Sequence, residues 1–306
     1  MVEKKYDIIC FSNCCCDIIF AGLDQLPLSG EEEYCETFEV TSGGGANTPM
    51  GLARLGAKTA FLSALGNDVF GRVISDNLTA YGVSKEFLQT GGSTWVSAVL
   101  STKEDRAFAS YAGVDLQIDK TLAKKVLQST KHLHCNVQYA IKYKDLVPMC
   151  TEYGVEPSFA TAYDPALKLG DLEFLLSQAT LFTLNNDEAL ALTGAATNED
   201  ALRILSGCCG YVVITMGEHG CIATKDGKSW HATAAAIPVK TDSTGAGDLF
   251  TAGLLYEYLK GSSVEEQMKT ASASGSLAVT YHGGMTQAYT QEAVYELRKT
   301  IKVKRI

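Results

Sequence analysis

No C-x-x-C pair occurs anywhere in this chain of 306 residues, although it carries ten cysteines. The close ligand pairs of structural zinc sites are therefore missing, and metal chelation by the thiols is set aside. Cys14, Cys15 and Cys16 are contiguous, and Cys208 and Cys209 are adjacent. Neighbours on a strand point to opposite faces, a poor arrangement for gripping one ion. The thiols read instead as small buried hydrophobes, kept reduced in a cytoplasmic protein. Low-complexity linkers, long charge runs and internal repeats are missing as well. Positive charge is scarce, with 26 lysines and arginines against 35 acidic residues and a net charge of -9. That balance repels a phosphate backbone and argues against a nucleic-acid partner, yet it leaves room for a nucleotide at a local positive site. No apolar run is long enough to span a membrane. The most apolar early stretch, Ile8 to Leu23, is broken by Asn13 and Asp17. With Lys4 and Lys5 ahead it imitates a secretion signal, but its β-branched and aromatic residues predict a first, buried strand.

What is present has the balance of a soluble globule, 46% hydrophobic and 20% charged. Short apolar runs alternate with helical patterns, the rhythm of a mostly parallel sheet covered by helices. Strands are predicted at Tyr6–Phe11, Thr59–Ala64, His132–Val137, Ser158–Tyr163, Leu181–Leu184 and Tyr211–Thr215. Helices are predicted at Ala46–Leu55, Gly71–Tyr81, Leu122–Ser129 and Asp248–Lys260, two of them stopped by Gly56 and Gly261. Two segments break the rhythm. Ile18–Val40 has few helical signals, and Trp95–Ala112 reads as two strands around the turn Lys103-Glu104-Asp105. Together, over about 18–40 and 94–113, they form a candidate β lid standing apart from the main sheet. A further hairpin turns at Asp226-Gly227.

The richest stretch for chemistry is Asp242-Ser243-Thr244-Gly245-Ala246-Gly247-Asp248, followed at once by an amphipathic helix. Small residues leave the amides of a helix N-terminus bare, and such an end attracts anions. A carboxylate beside an anion site suits a base that takes the proton of an attacking hydroxyl while the amides hold a phosphoryl group. The plainer alternative makes Asp248 a helix cap and the glycines a tight turn. Ser42-Gly43-Gly44-Gly45-Ala46-Asn47 precedes another helix. Its bare backbone admits a ligand closely, and Asn47 offers a donor and an acceptor to a hydroxyl. A flexible loop with a capping asparagine is the alternative there. Asp17, at the end of an apolar run, can accept bonds from vicinal hydroxyls or simply sit in a turn.

These motifs, in this order, resemble the ribokinase (PfkB-type) carbohydrate kinase family over essentially the whole length. Asp242 to Asp248 is similar to D-T-x-G-A-G-D, with Ser243 in place of threonine. Ser42 to Asn47 is similar to G-G-x-x-x-N, with Ser42 in place of the first glycine. Asn185 to Glu188 matches N-x-x-E, and Thr215 to Gly220 matches T-x-G-x-x-G. The resemblance implies an α/β fold, a three-layer ribokinase-like domain over 1–306 with a mostly parallel central sheet and a small β lid. It implies an ATP- and Mg²⁺-dependent sugar kinase, with Asp248 as general base and Gly245, Ala246 and Gly247 as the anion hole. Asp17, Gly43, Gly44 and Asn47 would hold the sugar. Asn185, Thr215, Gly217 and Gly220 would border the nucleotide, and Glu188 would organise Mg²⁺ through water. Asp242 and Thr244, with backbone near Gly283, are the candidates for a monovalent cation such as K⁺. The lid is also the expected surface for a homodimer.

The departures narrow the substrate. Ser12 stands where the family has an early glycine, and Ala166 and Lys168 replace residues of D-P-N-x-R after Asp164-Pro165. Gly44 stands where ribokinases and phosphofructokinases of the family tend to carry lysine, which favours a fructose-like or other unphosphorylated sugar. Two alternatives stay open: a nucleoside kinase of the same family, with Trp95, Phe108 and Tyr111 on the lid as candidates to stack a base, and a non-catalytic sugar-sensing protein. Gly227-Lys228-Ser229 looks like a P-loop ending, but Ile222 stands where the first glycine belongs. His132 and His134 are read as structural, and His219 as a neighbour of the nucleotide.

Overall fold

The computed structural model describes residues 3–102, 106–162, 164–237, 241, 243–281 and 283–306. The first seven strands are β1 (Tyr6–Phe11), β2 (Cys14–Leu23), β3 (Thr37–Gly44), β4 (Thr59–Leu65), β5 (Ser84–Thr90), β6 (Trp95–Thr102) and β7 (Arg106–Tyr111). The rest are β8 (Thr130–Asn136), β9 (Glu156–Ala160), β10 (Leu181–Asn185), β11 (Tyr211–Thr215), β12 (Cys221–Lys225), β13 (Lys228–Ala232) and β14 (Val303–Arg305). Helices α1 to α6 span Asn47–Leu55, Val69–Ala80, Lys120–Ser129, Val137–Lys142, Leu146–Glu152 and Leu169–Leu176. Helices α7 to α11 span Asn186–Thr193, Asn198–Ser206, Ala246–Leu259, Val264–Ala278 and Gln291–Leu297.

The large sheet has the order β14-β13-β12-β11-β10-β9-β8-β1-β4-β5. From β11 to β5 every pairing is parallel, and the β12–β14 edge is antiparallel. Both faces of the parallel part are covered, so its central strands are mostly buried; all seven residues of β4 are buried, whereas the edge strand β5 is half exposed. Ile8 and Cys10 of β1 pack with Phe61, Leu255 and Met268 on the side of α1, α9 and α10. Ile9 and Phe11 pack with Leu62, Val126, Leu172 and Leu202 on the side of α3, α6 and α8. The result is three layers, helices on either side of a sheet. Among the described residues no helix is long and apolar enough to cross a membrane.

The second sheet, β3-β2-β6-β7, is the lid that the two segments 18–40 and 94–113 led us to expect. The turn Lys103-Glu104-Asp105 lies outside the described residues, as does Tyr163 at the end of a predicted strand. One expectation needs correcting. The stretch Ile8–Leu23 is two strands in two sheets, β1 in the large one and β2 in the lid. The break falls at Ser12-Asn13, where polar residues interrupt the apolar run and Gly45 packs so closely that a Cβ there would lie 2.4 Å from Cβ of Ser12. The β12–β13 hairpin turns at Asp226 (φ 51) and Gly227 (φ 71), which accounts for Gly227-Lys228-Ser229 without phosphate chemistry.

Candidate active site

The signature and the lid meet at the carboxyl ends of the parallel strands, the ligand end of such sheets. Gly245 opens the 14-residue helix α9 at φ 74 with no side-chain cap among the described residues. A Cβ on Gly245 would lie 2.5 Å from Cα of Gly284, so the turn needs glycine. Asp248 follows in the first turn of α9. Burial lifts its carboxyl to about 6, and the hydrogen bonds from Asn47 and Thr48 hold the shift in check. Asp17 and Glu188, both acidic, push it in the same direction as burial.

Asn47 begins α1 and is 1% exposed. Its Nδ2 donates to Oδ2 of Asp248 at 3.1 Å, while its buried Oδ1 finds no donor among the described residues. An orphaned buried acceptor costs roughly 1–3 kcal/mol, a cost that a ligand hydroxyl would remove. Asp17 reaches the same space from β2. A Cβ on Gly43 would lie 1.8 Å from Oδ2 of Asp17, so the carboxylate lies directly over bare backbone. Gly44 next to it holds φ 58, and Cys15 Sγ donates to Oδ1 of Asp17 at 2.9 Å.

On the other side of the signature lies a cavity of about 260 Å³, bordered by Thr215, Gly217, Gly220, Ser243, Ala246, Gly247 and Phe250. The T-x-G-x-x-G loop and the anion turn therefore share one pocket. Gly220 is required in it, because a Cβ would come within 1.9 Å of the Ala232 carbonyl. Asn185 and Glu188 form a capping box on α7: Glu188 N donates to Asn185 Oδ1 at 2.8 Å, and Asn185 N donates to Glu188 Oε2 at 3.0 Å. Thr161 Oγ1 also donates to Oε2 of Glu188, at 2.5 Å. Both residues thus have a structural task, and Glu188 remains close enough for its charge to act on Asp248. Among the described residues no three His, Cys, Asp or Glu side chains group as an ion cage. Mg²⁺ usually keeps several waters and needs only one or two carboxylates, so the chemistry of Glu188 fits a metal held through water. Asp242 lies outside the described residues, and Thr244 is half-buried at the turn.

Several neighbours escaped the motif reading. Arg106, at the start of β7, donates from Nη1 to Oγ1 of Thr244 at 2.7 Å and so brings a cation from the lid to the signature. Thr48 touches Asp248 from the next position of α1. Neither sits in a glycine motif, and the contacts join residues 138 and 200 positions apart. His132 and His134 are buried on β8 and share Ser158 Oγ at 2.7 and 2.9 Å, a structural role as expected. Trp95 is tied down through its Nε1–H to the Val114 carbonyl at 2.8 Å. The register puts Phe108 on the lid face that carries Asp17, and Tyr111 on the outer face.

Comparison with known proteins agrees with this geometry. A model of the pfkB family carbohydrate kinases matches residues 6–291. Mouse ribokinase is 27% identical over 299 residues, covering 92% of this chain and 91% of the relative. A probable fructokinase-4 of Arabidopsis thaliana is also 27% identical, over 288 residues, with 84% of this chain and 87% of the relative covered. In fold, the chain is similar to Arabidopsis thaliana ribokinase complexed with ribose and ATP, with a TM-score of 0.82 at 21% identity over 96% of this chain and 99% of that one. Its motifs, its layers and its matched span all place the chain in the pfkB family of carbohydrate kinases.

Proposed function

We propose that the chain transfers the terminal phosphoryl group of ATP to a hydroxyl of an unphosphorylated sugar, with Asp248 as the general base. The observation that carries this reading is the placement of Asp248. It lies in the first turn of α9, next to Ala246 and Gly247 of the cavity that the T-x-G-x-x-G loop borders, and near enough to Asp17 for that charge to help lift its carboxyl to about 6. In this reading the carboxylate of Asp248 takes the proton of the substrate hydroxyl as its oxygen attacks the terminal phosphorus, and the bond from that phosphorus to the ADP oxygen breaks. Amides of Gly245, Ala246 and Gly247 stabilise the charge that builds on the phosphoryl oxygens, and ADP leaves on the far side. Mg²⁺, when bound, neutralises phosphate charge; Glu188 and Asn185 would hold it through water. Asp17, Gly43, Gly44 and the free Oδ1 of Asn47 take the sugar hydroxyls. Arg106 adds positive charge when the lid is down.

Gly44 supports a free sugar. Its φ of 58 disfavours any side chain, so no cationic group projects from this point toward a substrate phosphate. Ribose and fructose both remain candidates, and the ribokinase and fructokinase relatives match equally well by identity. A nucleoside is the second reading, resting on Phe108, 58% exposed on the inner lid face. Turnover of D-ribose, D-fructose and adenosine with Mg·ATP separates these readings, and consumption of ATP with none of them would defeat the sugar assignment. Potassium is proposed beside Thr244 and the backbone of Gly283; equal rates in potassium and tetramethylammonium chloride would remove it. The ten free thiols support a reducing compartment, and we assign the cytoplasm. Ile18, Phe20, Phe38, Val40, Val96, Leu100 and Tyr111 share the outer lid face, which supports a homodimer through the lid.

A further inference from the structure

Asp248 is held by two consecutive residues of another helix, and only the first belongs to a motif. We propose that Thr48 is a positioning residue for the base: its hydroxyl fixes Oδ1 of Asp248 while Asn47 fixes Oδ2, so that the first turn of α1 orients the carboxylate toward the substrate hydroxyl. This rests on the reading of Asp248 as the base. Thr48 is 6% exposed, and its Oγ1 lies 3.4 Å from both Oδ1 and the main-chain oxygen of Asp248. A hydroxyl has one proton to give, and an ionised oxygen is the stronger acceptor. The approach of the helices is built in. A Cβ on Gly51, one turn along α1, would lie 2.7 Å from Cδ2 of Leu249 and 2.8 Å from Cβ of Ala252, so α1 and α9 touch at bare backbone. The first turn of α1 carries no side-chain cap, and its dipole also favours a carboxylate there.

Among the described residues, the other titratable groups that bear on Asp248 are Asp17 from β2, Glu188 from α7 and Cys10 from β1, with Arg106 of β7 standing behind Thr244. The two carboxylates oppose ionisation of the base, whereas the two donors of α1 favour it. Removing the Thr48 donor should therefore move the carboxyl upward and cost activity chiefly at low pH.

Valine keeps the branching and size of threonine without the donor. Full-length protein with ¹³Cγ-labelled aspartate, titrated by NMR, reports the carboxyl directly; loss of one resonance in Asp248→Asn identifies it. Thr48→Val should raise the midpoint by about half a unit or more, and Thr48→Ser should restore it. Where D-ribose or D-fructose is turned over, the acid limb of kcat/KM should move by the same amount, and kcat at pH 8 should fall as the carboxylate loses its orientation. An unmoved midpoint in folded Thr48→Val, or a serine variant that behaves like valine, overturns the proposal. Thr48→Ala answers the same question, by the same criterion, if valine prevents folding. A moved midpoint in a protein that turns over no sugar upholds the clamp and defeats the kinase reading of the site instead.

Discussion

Asp248 carries opposite signs for stability and activity. Its carboxyl rises from an ordinary 3.8 to about 6, so the folded state holds the proton more tightly than the unfolded chain. Stability contributed by the protonated form is present below the ordinary value and fades as pH rises through about 6. A rise of that size corresponds to about 3 kcal/mol, held in the cleft as a cost of keeping a charged base out of water. Activity runs the other way, because only the ionised form accepts a proton. We expect kcat/KM to fall on the acid side with a midpoint near that of the carboxyl; a flat profile down to pH 5 in a folded enzyme would contradict it. Asp17→Ala and Asn47→Ala should each weaken sugar affinity far more than ATP affinity, by roughly 1.5–3 kcal/mol for the charged partner and less for the neutral one. Calorimetry with equal sugar affinity in both variants would take these residues out of the site.

At the scale of elements, glycines set the distances on which the site depends. Gly51→Val should drive α1 away from α9, since its Cβ alone meets Leu249 and Ala252 at 2.7 and 2.8 Å. Overpacking of this kind costs roughly 1–3 kcal/mol and should lower the melting temperature and turnover together. A variant with wild-type stability would show that the helices have slack. Much of this level was legible in the sequence. β1 and β11 have the predicted bounds, because apolar runs of strand length flanked by polar residues admit few alternatives. The lid was visible as a lapse in helical rhythm. The division of Ile8–Leu23 was not, since the polar pair Ser12-Asn13 is too short a signal to tell a turn between two sheets from an interruption within one strand. Residues that contribute one polar atom from a distant segment were also invisible. Arg106 and Thr48 have no pattern around them, and only the fold brings them to Thr244 and Asp248.

For the whole molecule, one exposed surface stands out. The outer lid face is apolar across all its strands, with Phe38 59% and Tyr111 58% exposed. If two copies pair there, Phe38→Glu should halve the mass measured by light scattering without changing the fold; an unchanged mass, dimeric or monomeric, would contradict pairing through this face. Beneath the lid, the fold brings three separate stretches of chain to one point: the strand that carries Asp17, the helix that begins at Asn47, and the signature that ends at Asp248.

The central claim is that this convergence serves proton transfer at Asp248, and Asp248→Asn tests it most directly. Asparagine keeps the shape and can accept the bond from Asn47, and it removes the buried charge, so the fold should survive with equal or greater stability at pH 8. It cannot take the hydroxyl proton, and a placed base is worth roughly 10²–10⁴ in rate. Turnover, sugar and ATP affinity and melting temperature should be measured on one preparation. The account predicts a folded protein that binds both ligands and turns over at least about a hundredfold more slowly. Near-normal turnover in that folded variant would contradict it.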